Sequence, residues 1–448
     1  MEIRSFNLEV KNKISSFNKT IEVDSDKSLS IRSFLLGSIC EKSSIAKNVL
    51  ESEDVKSTII ALKKLGVKIQ KIKPKCYKIF GKGLGSLKIN KNALLDFSNS
   101  GTLARLIIGI LSTTPNITVK LKGDHSLNKR NMAKLISLAS KFGASFFPKN
   151  KNYFPLKMIS SNFPVGIKYE AGVSAQLKSA AILAGLNSYG ETIIKERIIS
   201  RDHTENLLSN NSQAIKIIKL KNKIIRVRGK KPLRPFKIHI SGDPSSAAFY
   251  TTLTLLNPNS KIKIKNVGLN PTRIGFYKIL KKHKANIKFI NIKKENNEIR
   301  GDIIVKSSKL SPMRTPASLY PSTTDEYLLL FCIASLTKGI STFNGISDLA
   351  NKESSRAHEM KKILNQIGIK CVLTKNKMRI FGKQNINSFN KKIYLRNLGD
   401  HRVAMCAFIL SILTGIKTNI KNFETVFTSS PSFLKIMRSL GAKYEIQK

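Results

Sequence analysis

The residues with the most chemistry in them sit where helices begin. Lys27 and Arg32 flank Ser28 in SDKSLSIR (25–32), Arg105 ends NSGTLAR (99–105), and Arg130 ends GDHSLNKR (123–130). Arg201 opens RDHTE (201–205), Lys352 and Arg356 bracket NKESSR (351–356), and Arg402 lies in GDHR (399–402). A helix N-terminus presents unpaired backbone N–H groups and about half a positive charge. Ser, Thr or Gly there adds hydroxyl donors or lets an anion come close. With a cation in the same turn, such an end suits phosphates and carboxylates, and arginine can grip either bidentately. Ser28, Thr102, Ser174 and Asp400 each fit a plain N-cap as well. It is the recurrence of cap plus cation that points to small anionic ligands. Carboxylates are few among these cations: Asp325 and Glu326 open one helix, and Glu353 lies between Lys352 and Arg356. An isolated carboxylate in a cationic cleft is a natural proton carrier; an ion pair to a neighbouring arginine explains it equally well.

The elements that position these turns recur six times. A polar or Gly-containing turn opens an apolar, small-residue helix of about three turns, at 25–39, 99–114, 172–186, 242–256, 323–339 and 399–415. The starts are roughly 70 to 80 residues apart, the length of a compact supersecondary unit. ALKKLGVKI (61–69), LASKFGASF (138–146), ILNQIGIKC (363–371) and IMRSLGAKYEI (436–446) each read as a helix, a Gly cap and a strand. NLLSNNSQAIKI (206–217) and KILKKHKANIKF (278–289) repeat the pattern without the Gly. Alternating stretches such as PNITVKLKG (115–123) and SKIKIKNVG (260–268) read as strands. Six such units predict an α/β protein of two similar lobes, three units each, with sheets around central helices that are apolar nearly all round. The boundary falls near 240–242, and from pattern alone the first strand can pair with either half. Equivalent turns would then project from one end of each lobe, and the two ends would face each other.

Composition narrows the function. The 448 residues exceed one comfortable core. Neither a bilayer-spanning apolar run nor a signal core is present, which predicts a cytosolic protein without a membrane role. The five cysteines and six histidines are dispersed without metal-ligand spacing, so buried free thiols and no metal are expected. The 79 basic against 28 acidic residues give a formal charge of +51. Nucleic acid is the first partner such a balance suggests. The lysines, however, are spread along the chain with Asn and Ile, without the aromatic interleaving of a nucleic-acid groove. The densest basic stretch, 216–237, alternates like a solvated hairpin. Small anionic substrates rather than nucleic acid are therefore expected; a monomer is expected as well, though no residue pattern carries it.

Eight motifs in order resemble those of the enolpyruvyl transferases across nearly the whole chain: DKSLSIR (26–32), NSGTLAR (99–105), GDHSLNKR (123–130), GVSAQLKSA (172–180), SRDHTE (200–205), TDEYLLL (324–330), KESSR (352–356) and GDHRVAM (399–405). GVSAQLKSA and SRDHTE look like the second-class, bacterial form. The resemblance implies an inside-out α/β fold of two lobes, each a threefold repeat of a βαβαββ-like unit with helices packed inside sheets. Residues 23–241 would form lobe 1, and 1–22 with 242–448 lobe 2, giving two crossovers.

The implied reaction moves the enolpyruvyl group of phosphoenolpyruvate onto the 5-hydroxyl of shikimate 3-phosphate and releases phosphate. It runs through a tetrahedral intermediate, with no metal or organic cofactor. Carried across, Lys27, Ser28, Arg32, Ser174, Ala175 (by its backbone), Gln176, Arg201, Asp325 and Lys352 would hold shikimate 3-phosphate. Lys27, Gly101, Arg130, Gln176, Arg356 and Arg402 would hold phosphoenolpyruvate. Asp325 would take the hydroxyl proton, while Glu353 and Lys27 would handle protons at the enolpyruvyl carbon and the leaving phosphate. Gly101 is the family's position for glyphosate sensitivity, and glycine there implies a sensitive enzyme. Departures from the family pattern are VDSDKS (23–28) for Val-Pro-Gly-Asp-Lys-Ser, Asn131 for Pro, Leu328 for Pro, Ala350 for Arg, Ser355 for the Asp before Arg356, and Ser430 for an aromatic. The sister enzyme acting on UDP-N-acetylglucosamine would need Lys-Asn at the first motif and a reactive loop Cys. Here the motif is Lys27-Ser28, and 123–130 contains no Cys. An RNA-end-binding protein built on related repeats is the alternative from another class.

Overall fold

The computed structural model describes residues 5–219, 221–386 and 391–447. The six apolar segments form the helices Lys27–Ser38, Gly101–Ser112, Ala175–Leu186, Pro244–Leu256, Tyr327–Ser335 and His401–Thr414. Their sequences leave no polar stripe to face water, and the structure buries them accordingly. Every residue of Tyr327–Ser335 is buried, and in Pro244–Leu256 all but Leu256. A helix apolar all round finds a stable place only inside a layer of other elements.

That layer is β-structure. The strands of the described residues fall into six four-stranded sheets of one pattern. In the sheet of Leu94–Asp96, Thr118–Lys122, Leu156–Ile159 and Ser145–Phe147, the first pair is parallel and the other two antiparallel. The sheets built on Ser43–Lys47, Glu191–Glu196 and Gly339–Asn344 repeat it. The strand Asn7–Val10 lies between Lys417–Ile420 and Tyr444–Gln447, antiparallel to both, with Leu8 opposite Ile420 and Ile446. Asn18–Glu22 runs parallel beside Lys261–Gly268. The basic stretch forms an antiparallel pair, Ile215–Lys219 with Lys223–Arg228.

Two compact units result. The N-terminal unit is Ser25–Ser241 with Lys294–Glu298, where Glu298 Oε1 lies 2.8 Å from His203 Nδ1. The C-terminal unit is Met1–Asp24, Gly242–Lys293 and Ile299–Lys448. Each has its own apolar core. Helices ending before Gly66, Gly143, Gly368 and Gly441 turn into strands through left-handed glycines (φ 80°, 95°, 78° and 101°). Where the sequence lacks that glycine after Gly275–Lys282, Lys284 takes the left-handed conformation itself, at φ 68°. No described helix is long and apolar enough to cross a membrane.

In the N-terminal unit, Gly101–Ser112 and Ala175–Leu186 touch backbone to backbone. A Cβ on Gly109 would stand 2.6 Å from Ala180 O and 2.8 Å from its Cα. The glycine lets the two helices approach so closely that their N-termini lie side by side. Gly109→Val should therefore cost at least about 2 kcal/mol of stability by overpacking, seen as a lower denaturant midpoint; an unchanged midpoint would show that the helices can part freely.

Candidate active site

In the N-terminal unit the helix starts are wired to one another. Asp26, not Ser28, caps Lys27–Ser38 by accepting from Leu29 N at 2.8 Å, and Ser100, not Thr102, caps Gly101–Ser112. Ser28 and Thr102 are thereby released from capping. Ser174 does cap its own helix, accepting from Leu177 N at 3.4 Å. Gln176 bridges two ends: its amide donates to Thr102 Oγ1 at 3.0 Å and its carbonyl accepts from Arg105 Nη1 at 2.9 Å. Ala175 is the first residue of that helix, so its N–H lacks a helical partner. Arg130 donates to Asn99 Oδ1 at 2.8 Å, and Asn99 donates to Asp124 at 2.7 Å. A Cβ on Gly101 would meet Arg105 Nη1 at 2.6 Å and Arg130 Nη1 at 2.9 Å, so glycine leaves room for both guanidinium groups. Arg32, 4% exposed, donates to Thr204 Oγ1 (3.0 Å), Ser179 Oγ (3.3 Å) and Ser28 O (3.2 Å). Arg201 stands half-buried just before the short helix His203–Leu207. Lys27 Nζ pairs with Asp54 at 2.9 Å.

In the C-terminal unit Arg356 is the centre. It is 1% exposed, and three carboxylates surround it. Its Nε donates to Asp400 Oδ2 at 3.0 Å, its Nη2 to Glu353 Oε2 at 2.5 Å, and its Nη1 stands 3.6 Å from Asp325 Oδ1. Burial alone would favour a neutral guanidine, but Asp400, Glu353 and Asp325 outweigh it and raise the pKa of Arg356 above its ordinary value. Asp400 caps His401–Thr414 through Arg402 N at 3.1 Å and accepts from Ser354 Oγ at 2.9 Å. Arg402 reaches Asp325, with Nε 3.7 Å from Oδ1 and Nη1 donating to the backbone carbonyl at 3.3 Å. Asp325, Glu353, Arg356 and Arg402 therefore form one cluster. Lys352 is tied elsewhere, to Asp348 at 2.6 Å, which also accepts from Tyr320 Oη at 3.1 Å. Among the described residues no group of His, Cys, Asp or Glu side chains could hold a metal ion, and all five cysteines are buried and free.

Comparison with known proteins bears on this pattern. The family model of EPSP synthase (3-phosphoshikimate 1-carboxyvinyltransferase) matches residues 11–437. The chain belongs to the EPSP synthase family. The 3-phosphoshikimate 1-carboxyvinyltransferase of Zymomonas mobilis is 34% identical over 98% of this chain and 97% of its own. That of Bacillus cytotoxicus is 35% identical over 94% and 98%. A solved EPSP synthase from Acinetobacter baumannii is similar with a TM-score of 0.84 and 31% identity, covering 99% of this chain and 100% of that one. The enolpyruvyl transferase NikO from Streptomyces tendae shares the fold alone, with a TM-score of 0.76 at 12% identity.

Against the EPSP synthase pattern, this chain's departures find local compensation. Ser355 replaces an acidic neighbour of Arg356, yet Asp400, Glu353 and Asp325 supply three carboxylates to that guanidinium. Asp24 and Ser430 are coupled: the Asp24 carboxylate accepts from Ser430 Oγ (2.9 Å), Ser432 N (3.0 Å) and Ser432 Oγ (2.7 Å). Asn131, in place of proline, accepts from Ala133 N at 2.8 Å and starts the next helix with its side chain. Leu328 is buried within Tyr327–Ser335. Sequence reasoning missed Asp54, Asn99, Thr204 and Ser179. Asp54 reads as an ordinary acidic first-turn residue of Glu53–Lys64, and the others become visible only when distant segments meet.

Asp400→Ala should lower unfolding free energy by about 3 kcal/mol, since it strips a buried charge pair and a helix cap together. Denaturant unfolding checks this; a loss within error would mean that Glu353 and Asp325 alone satisfy Arg356.

Proposed function

We propose that this chain moves the enolpyruvyl group of phosphoenolpyruvate onto the 5-hydroxyl of shikimate 3-phosphate, releasing inorganic phosphate. The observation that carries this reading is the cluster around Arg356, where two arginines share space with two half-buried carboxylates. Arginines suited to a carboxylate or phosphate thus adjoin the groups that can move protons.

Shikimate 3-phosphate engages Lys27, Ser28, Arg32, Ser174, the Ala175 N–H, Gln176, Arg201, Asp325 and Lys352. Phosphoenolpyruvate engages Lys27, Gly101, Arg130, Gln176, Arg356 and Arg402. Asp325 accepts the proton of the 5-hydroxyl as its oxygen attacks C2 of phosphoenolpyruvate. C3 takes up a proton from Glu353 or Lys27, and the former methylene becomes a methyl group. The tetrahedral carbon then bears the methyl, the carboxylate, the phosphate ester and the new ether oxygen. Loss of a methyl proton with cleavage of the C–O bond to phosphate regenerates the double bond. The cations stabilise the charge of this intermediate, and no redox change or cofactor is needed for the balance.

The family match supports the shikimate reading over transfer to UDP-N-acetylglucosamine and over RNA-end binding.

Phosphate release should require both shikimate 3-phosphate and phosphoenolpyruvate; release with UDP-N-acetylglucosamine instead would overturn the reading. Asp325→Ala should reduce turnover by about two orders of magnitude or more with the fold intact, whereas a near-normal rate would make Asp325 structural. Glyphosate should inhibit the wild-type protein, and unhindered turnover at millimolar glyphosate would contradict the role given to Gly101.

A further inference from the structure

One ionic cluster of the N-terminal unit lies outside every role assigned above. Lys178 and Glu196 have fully buried side chains, as does Glu205, while the Lys223 side chain is 6% exposed. Lys178 Nζ lies 2.9 Å from Glu196 Oε1, 2.8 Å from Glu205 Oε1 and 3.4 Å from the Ser200 carbonyl. An ammonium has three N–H donors, and these three acceptors can use them all. Lys223 closes the other side, 3.0 Å from Glu205 Oε1 and 3.4 Å from Glu196 Oε2. Ser200 adds two bonds to Glu196 Oε1, from its N–H at 2.7 Å and its hydroxyl at 2.6 Å.

The location of the cluster is what gives it a role. Lys178 is one helical turn below Ser174, the cap of Ala175–Leu186, and shares its face. Glu196 ends the strand Glu191–Glu196, Ser200 directly precedes Arg201, and Glu205 sits in the short helix after it. A second tie joins the same two helices one residue after Lys178 and one residue before Glu205. Thr204 Oγ1 donates to Ser179 Oγ at 2.8 Å and accepts from Arg32 Nε at 3.0 Å. The segment carrying Arg201 is thus fastened at both ends to the helix carrying Ser174 and Gln176, and Arg32 is fastened to the join.

Stability alone is a poor reason for such an arrangement. Buried ion pairs often stabilise no more than apolar side chains of the same volume. Burial would push the Glu205 carboxyl up, but Lys178 and Lys223 outweigh it and hold it below its ordinary range. Burial would likewise lower Lys223, and Glu205 with Glu196 raises it instead. Both groups stay charged at neutral pH, with directional bonds in place.

We infer that Lys178, with Glu196, Glu205 and Thr204, is a positioning set for the phosphate of shikimate 3-phosphate, holding Arg201, Arg32 and Ser174 in one register. This rests on the function proposed above. Lys178 touches no substrate. It sets where the cations that do so stand. Lys223 pairs with Glu205 and Glu196 in the same ion cluster, but it stands on the strand Lys223–Arg228, on neither the helix of Ser174 nor the segment of Arg201.

The test is shikimate 3-phosphate binding by titration calorimetry without phosphoenolpyruvate, on wild type, Lys178→Met, Lys223→Met and Thr204→Val, with thermal unfolding of each. Lys178→Met should weaken binding about tenfold or more, because displacing binding groups by an ångström is costly. Thr204→Val, close to isosteric and expected to fold, should weaken it several-fold. Lys223→Met should lose stability comparable to Lys178→Met while binding nearly as wild type. Should Lys178→Met not fold, Thr204→Val decides alone. Wild type that binds no shikimate 3-phosphate overturns the functional reading and this one with it. Wild type that binds, beside a folded Lys178→Met or Thr204→Val that binds as tightly, overturns the positioning role alone. So does affinity that merely follows stability across all three variants.

Discussion

The pairing of Arg356 with Asp400 is the interaction on which the candidate cluster of the C-terminal unit depends. A guanidinium 1% exposed cannot be left alone in an apolar core. Asp400 answers that demand while also capping the helix His401–Thr414 and setting the start from which Arg402 projects. Two arginines, a helix start and the neighbouring acids are therefore placed by one carboxylate. Removing it leaves a buried charge, which is why the site and the core are hard to separate here.

The same economy runs through the N-terminal unit. Its central helices are apolar nearly all round, and the charged side chains they carry, Lys27, Arg32, Arg105 and Lys178, lie in their first two turns. The close approach permitted by Gly109 brings the ends of Gly101–Ser112 and Ala175–Leu186 together, and Gln176 stitches them through Thr102 and Arg105. The sheets outside carry much of the lysine. Lys68 and Lys78 lie 5.1 and 5.0 Å from the Phe80 ring, and Lys370 lies 5.4 Å from Phe381. In each it is the ammonium group that stands over the aromatic face, a cation–π contact.

Much of the fold was legible because it repeats. An apolar helix opened by a polar turn is unambiguous when it recurs six times, and Gly66, Gly143, Gly368 and Gly441 mark the helix-to-strand turns by their left-handed backbone. Lys27, Arg105 and Arg402 of the candidate site stand out for the same reason, since each lies in the first turns of a recurring helix. Their partners do not. Asp26 and Ser100 took the caps that Ser28 and Thr102 also fitted, and a shift of two residues decides that. Asp54, Thr204 and Ser179 carry no local signal, because their importance comes from side chains brought from far along the chain. The coupling of Asp24 with Ser430 is of this kind too: each looked like a separate departure, and they are one hydrogen-bonded unit.

In the proposed reaction the carboxylates and cations around Arg356 serve an addition and elimination in which the methylene of phosphoenolpyruvate is transiently a methyl group. Turnover of shikimate 3-phosphate and phosphoenolpyruvate in heavy water, with the product analysed by proton NMR, tests it most directly. Deuterium from solvent is expected in the enolpyruvyl methylene of the product, at a level reflecting random loss from the intermediate methyl. Full turnover with a methylene that contains no deuterium would contradict it.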